Sequence, residues 1–201
     1  MKTRLLGVVG SLQRNSLTRH AVEYALRQAR DIGAETRLVD LLESPLPVFN
    51  PEQRDGPEYR KVAEDVVWAS AYLLGSPDYH GSMSGATKNF LDYFWKELAG
   101  KLFGYVCASH EKGLTVMDHM RTSVRQCYGW SLPYGACVTD GDLDKKTGKV
   151  LNSKVGQRLD LMAYDLVTYG SLLRARFEGD VASPNPKAGF AAYYRPSKEG
   201  E

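Results

Sequence analysis

The chain has 201 residues, is 43% apolar and 25% charged, and carries a formal net charge of +2. That length suits one domain with a substantial core, and that charge is too small to argue for a nucleic-acid or membrane-surface binder. No run of about 18 apolar residues is present, so no membrane-spanning helix is expected.

The first apolar stretch, residues 5–9, is too short for the apolar segment of a secretory leader and precedes no small-residue cleavage site, so it reads as a first strand. It ends at Gly10 and Ser11. Residues 15–32 then place Leu17, Ala21, Val22, Ala25, Leu26 and Ala29 on one helical face, with Gly33 as the stop. A second strand is expected over 35–41. Residues 42–57 hold four of the nine prolines, and so long a loop suggests a functional or interface role. A helix over 58–68 precedes a buried strand over 69–74. Met83, Thr87, Phe90, Phe94 and Leu98 mark a helix over 84–98. A strand over 102–108, a helix over 114–128, a strand over 131–139 and a helix over 153–173 complete the order. Between the last two, residues 140–148 form a polar turn. The pattern predicts residues 1–178 as one domain and 179–201 as a Pro/Gly-rich tail carrying Phe190, Tyr193 and Tyr194.

Five strand–helix repeats are the mark of a parallel sheet covered on both faces. Right-handed crossovers favour a doubly wound, flavodoxin-like α/β fold with strand order 2-1-3-4-5, whose ligands sit beyond the carboxyl ends of strands one, three and four. The loops at those ends carry the chemistry. The first, residues 10–18, opens a helix whose free N–H groups attract anions. Ser11, Asn15, Ser16 and Thr18 add polar groups, and Arg14 adds a charge. The same residues also suit a plain helix cap at Asn15 or Ser16. The loop matches neither the nucleotide-binding Gly-Lys-Ser/Thr pattern nor the dinucleotide fingerprint. In the second loop Pro77 fixes backbone, Gly81 and Gly85 allow close approach, and Tyr79 and His80 offer flat faces. The third, residues 109–113, is weak alone but falls on the same rim.

The three cysteines, Cys107, Cys127 and Cys137, are odd in number and not closely spaced, which fits a reducing compartment; a cytoplasmic protein is expected. Cys107 lacks the downstream arginine of a cysteine-phosphatase loop. The histidines lack metal-ligand spacing, so no metal is expected.

Three segments together resemble the NAD(P)H-dependent FMN reductases, a flavodoxin-like group that includes quinone, chromate and azo-dye reductases. Gly10-Ser-Leu-x-x-x-Ser16 is similar to the family's Gly-Ser-Leu-Arg-x-x-Ser phosphate loop. Ser76-Pro-Asp-Tyr-His-Gly-Ser82 with Lys88, Asn89 and Asp92 is similar to its Pro-Glu-Tyr-Asn-Gly-Ser…Lys-Asn-Ala-Leu-Asp signature. Leu46-Pro47-x-Phe49 resembles its segment after strand two. The resemblance spans roughly residues 4–172. Two departures stand out: Gln13, followed by Arg14, replaces the family's loop arginine, and residues 108–113 replace a glycine-rich third loop.

The resemblance implies a bound FMN, with its phosphate among Ser11, Gln13, Arg14, Asn15, Ser16 and Thr18. The ring would lie against Pro77, Asp78, Tyr79, His80, Gly81 and Ser82, with Ser109 at its other edge. It implies ping-pong hydride transfer from NADPH or NADH to a small acceptor such as a free flavin, quinone, azo compound or metal oxyanion, in a homodimer or homotetramer. No acid or base is assigned; His80 is a weak candidate. A flavodoxin-type electron carrier and a flavin-free phosphate-ligand binder are the competing readings.

Overall fold

A computed structural model describes residues 2–185 and 189–196. A parallel sheet in the order β2-β1-β3-β4-β5 forms from β1 (Arg4–Val9), β2 (Glu35–Asp40), β3 (Ala71–Pro77), β4 (Leu102–Ala108) and β5 (Trp130–Ser131). A further strand, β6 (Ala136–Val138), also pairs with β4. The order is the one expected. The fifth strand, expected as one run over 131–139, is two pieces on the same flank of β4. Pro133, which has no N–H to give a ladder, lies between them, and Gly135 packs against Met117 and the Tyr105 carbonyl.

Because side chains alternate across a strand, the near-continuous apolar strands serve two cores. Leu6, Val8, Tyr72, Leu74, Phe103 and Tyr105 face α2 (Pro57–Trp68), α3 (Gly85–Tyr93) and α4 (Leu114–Gln126). Leu5, Val9, Leu73 and Val106 face α1 (Leu17–Asp31) and α5 (Ser153–Ala182). The third helix stops sooner than expected: Phe94 is extended, and Leu98 lies in a separate 3-10 turn, Lys96–Leu98. Helix α5 runs nine residues beyond the expected 173, to Ala182. Beyond it, Phe190 and Tyr194 pack back on Phe177, and Phe190 stacks on Tyr128 at 5.5 Å. This aromatic cluster covers Ala99, next to the start of β4, at the opposite end of the sheet from the predicted ligand loops.

Lys88, Asn89 and Asp92 have structural work. Asn89 donates to the Leu46 and Pro47 carbonyls and accepts from the Phe49 N–H, so it ties the proline-rich loop to α3. Lys88 pairs with Asp92 one turn along.

Candidate functional site

Helix α1 begins at Ser16, whose hydroxyl oxygen accepts the Arg19 N–H at 3.1 Å. Of the two possible caps, Ser16 is the one used. Asn15 immediately before it is left-handed (φ 53°), which turns the chain sharply into the helix. The Ser11 oxygen accepts the Gln13 N–H at 3.3 Å. The lone pairs of Ser11 and Ser16 therefore shape the loop, while neither O–H has an acceptor among the described residues. Thr18, in the first turn of α1, is fully buried, and its hydroxyl has no partner among the described residues. Burying such a group unpaired is costly, on the order of 1–3 kcal/mol.

The first and second loops are fastened together. The Ser84 hydroxyl donates to the Gly10 carbonyl at 2.6 Å and caps α3 through the Thr87 N–H, while the Ser84 N–H donates to the Ser76 hydroxyl. A Cβ on Gly10 would stand 1.8 Å from the Thr87 hydroxyl, so only glycine permits this approach.

The second loop is a tight turn. Tyr79 and Ser82 exchange both backbone hydrogen bonds, at 3.0 and 3.1 Å. His80 (φ 56°) and Gly81 (φ 77°) are both left-handed, as a two-residue turn of this hand demands. Gly81 has the left-handed φ its place in the turn requires, and a Cβ on Gly85 would stand in open space. The Asp78 carboxylate accepts the Gly81 N–H through Oδ1 and the Ser109 hydroxyl through Oδ2, both at 2.8 Å. The second and third loops thus share one carboxylate.

Two adjoining cavities result. The first, about 290 Å³, is lined by Ser11, Gln13, Asn15, Ser16, Leu17, Thr18, Pro77, Asp78, Tyr79, Ala108, Ser109, His110, Asp140 and Lys145. The second, wider and open, is lined by Asp78, His80, Gly81 and Ser109 with residues 110–115. Asp78, Ser109 and His110 line both, so the surface is continuous from the α1 N-terminus to the 109–113 loop. Hydroxyl donors and a helix N-terminus at one end suit an anion; at the other, Pro77, the turn and the half-exposed Tyr79 ring suit a flat heterocycle.

The predicted residues do not all meet there. Arg14 lines an adjoining depression with Arg19, His20, Glu23 and Glu43, which meets the first cavity at Asn15. The Arg19 guanidinium is itself taken by Glu23, Asp40 and Glu43 at 2.8–3.0 Å. The Ser82 hydroxyl bonds the His119 ring. The cation lining the first cavity is Lys145, 2.8 Å from Asp140. That hydrogen bond holds the Asp140 carboxyl below its ordinary range, and nearby His110 adds to the effect. Sequence periodicity had marked these residues only as a polar turn. Beneath the third loop, desolvation pushes the Cys107 thiol up to about 12, so it is no nucleophile. No group of metal-ligating side chains occurs among the described residues, and no described helix is long and apolar enough to cross a membrane.

Comparison with known proteins gives a consistent result. The family model for NADPH-dependent FMN reductases matches residues 3–143. An NADPH azoreductase of Bacillus sp. (strain OY1-2) is 29% identical over 162 residues, covering 76% of this chain and 88% of that protein. The NADPH-dependent FMN reductase ArsH of Shigella flexneri is 34% identical over 97 residues, but the match spans 48% of this chain and only 38% of that longer protein. In structure, the flavoenzyme NAD(P)H:(acceptor) oxidoreductase FerB of Paracoccus denitrificans superposes with a TM-score of 0.71 at 18% identity, over 86% of this chain and 98% of that one. At that identity the likeness speaks for the fold.

Proposed function

Because the chain belongs to the NADPH-dependent FMN reductase family, we propose that it oxidises NADPH through a bound FMN and reduces a small acceptor such as an azo compound, quinone or free flavin. The observation that carries this reading is the continuous rim surface, with an unpaired buried Thr18 hydroxyl at its phosphate end and a flat-ligand turn at the other. The residues fit the cofactor. Ser11, Ser16 and Thr18 have O–H groups to donate to a phosphate, and the turn at 79–82 with Ser109 and His110 frames a ring.

Bound FMN supplies the two-electron chemistry. The chain's own residues position it. Asp78 keeps the second and third loops at a constant separation, and Ser84 does the same for the first and second. The second cavity is open, which supports a reading in which NADPH and acceptor use one face in turn, as ping-pong turnover requires. His80 is held by its turn and is assigned no proton transfer. Residues 1–178 are taken as the catalytic unit. We place the protein in the cytoplasm, consistent with its three free cysteines. A homodimer or homotetramer is part of the same reading; the 42–57 loop, with Val48 89% exposed, offers it a surface.

The test is direct. The protein purified with FMN should show a flavin spectrum that NADPH bleaches under anaerobic conditions. Initial rates against NADPH at several quinone or azo-dye concentrations should give parallel double-reciprocal lines. Intersecting lines would remove the ping-pong order. Flavin binding without turnover on any acceptor would leave an electron carrier instead.

A further inference from the structure

The anion end of the cavity has donors but no cation from its own loop. Gln13 lines it where the resembling family pattern has arginine, Arg14 lines the adjoining depression with Glu43 instead, and Arg19 is held by three carboxylates. The positive charge arrives from a distant segment. Lys145 lies in the loop after β6 and lines the same cavity as Ser11, Ser16 and Thr18.

That loop is braced so that Lys145 stands over the first turn of α1. The His20 ring Nε2 lies 3.0 Å from the Lys145 carbonyl oxygen. Asp144 Oδ1 accepts the Lys146 N–H, the Thr147 N–H and the Thr147 hydroxyl at 2.7–3.0 Å. Asp142, nearly buried, accepts from Thr139 and from the Asn152 amide. The backbone position of Lys145 is therefore set, while its side chain is largely exposed. At the cavity mouth its ammonium meets the carboxylate of Asp140. A carboxylate lining an anion cavity repels the ligand unless its charge is neutralised, and here the neutralising group is the cation that the ligand itself needs. Thr18 lines the same cavity, and its buried hydroxyl, which finds no partner among the described residues, is the independent sign that an acceptor belongs there.

We infer that Lys145 reads the terminal phosphate of the flavin, and that Asp140 holds the ammonium at the cavity mouth and competes with the phosphate for it. The inference rests on the FMN reading above. It makes this one lysine a determinant of FMN over riboflavin, which has the same ring and ribityl chain but no phosphate, and it gives two neighbouring residues opposite effects.

The test is titration of FMN and of riboflavin, followed by flavin fluorescence quenching at constant ionic strength, with the wild type and three variants. Lys145→Gln should weaken FMN about tenfold, the scale of one lost charge-assisted hydrogen bond, and leave riboflavin unchanged. Asp140→Asn should tighten FMN by about threefold, the scale of an exposed charge pair, again without moving riboflavin. Lys146→Gln, the same charge change one residue along, should alter neither. The inference is overturned if Lys145→Gln leaves FMN affinity within about twofold of wild type, if it weakens both flavins equally, or if Asp140→Asn weakens FMN. A wild type that binds FMN no better than riboflavin also overturns it while leaving a flavin site in place; a wild type that binds neither flavin overturns the proposed function itself.

Discussion

The Ser109 hydroxyl donates to Asp78 at 2.8 Å, and the other oxygen of that carboxylate accepts the Gly81 N–H. One side chain therefore sets the spacing between the loop after β3 and the loop after β4. Asp78→Ala should leave the Gly81 N–H unpaired, cost about 1–3 kcal/mol in urea unfolding and weaken FMN by at least about tenfold. Asp78→Asn, which keeps an acceptor for Gly81, should fall between. Equal FMN affinity in all three proteins would show that the two loops are spaced by something else.

Thr18→Val should move stability and binding in opposite directions. The buried hydroxyl has no partner among the described residues, so replacing it with a methyl group removes an uncompensated desolvation cost. The ligand-free variant should be more stable by about 1 kcal/mol, yet bind FMN about tenfold more weakly. Functional sites hold such destabilised groups at the expense of the fold. Melting temperatures with and without FMN check both signs, and a variant destabilised in both states would refute the assignment.

His80 separates turn geometry from catalysis. Its left-handed backbone makes His80→Val strained, with a loss of about 1–3 kcal/mol, whereas His80→Gly fits the turn. General acid–base groups contribute roughly a hundredfold or more to rate. His80→Gly should therefore keep NADPH–quinone turnover within about tenfold; a hundredfold fall would make His80 a proton donor.

Lys101 predicts the pH dependence of stability. It is 2% exposed, and its ammonium donates to the Val66 carbonyl at 2.8 Å in the last turn of α2. Burial, reinforced by Arg174 and Arg4, lowers its pKa from 10.5 to about 7. The folded state thus holds this proton less tightly than the unfolded chain. Below about pH 7 both states are charged and the full cost of burial applies; between about 7 and 10.5 the unfolded chain binds more protons, so stability rises with pH. Lys101→Met should abolish that rise and be the more stable protein near pH 6, because Tyr72 still donates to Val66 at 2.6 Å. Urea unfolding across about pH 6–10 tests it; a wild-type curve flat over that window would show that Lys101 stays charged.

The order of elements was legible because apolar periodicity is local: residues 17–29 mark a helix whatever they pack on, and continuous apolar runs mark strands covered on both faces. The two candidate ligand loops were legible for the same reason, since Gly10, Ser11, Pro77 and Gly81 are turn and cap residues with a local signature. Helix ends were less so: Phe94 and Leu98 keep helical spacing although the chain is already extended at Phe94. The choice between Asn15 and Ser16 as cap, the diversion of Arg14 towards Glu43, and the structural duty of Asn89 are properties of packing. Sequence spacing does not encode which way a side chain leaves a turn. Most of all, Lys145 comes to line one cavity with Ser11 and Thr18, more than a hundred residues away in the chain, through a loop latched to His20. That juxtaposition exists only once β6 has paired with β4 and α1 has packed beside α5, because a through-space contact between distant loops is set by sheet order and not by any local pattern.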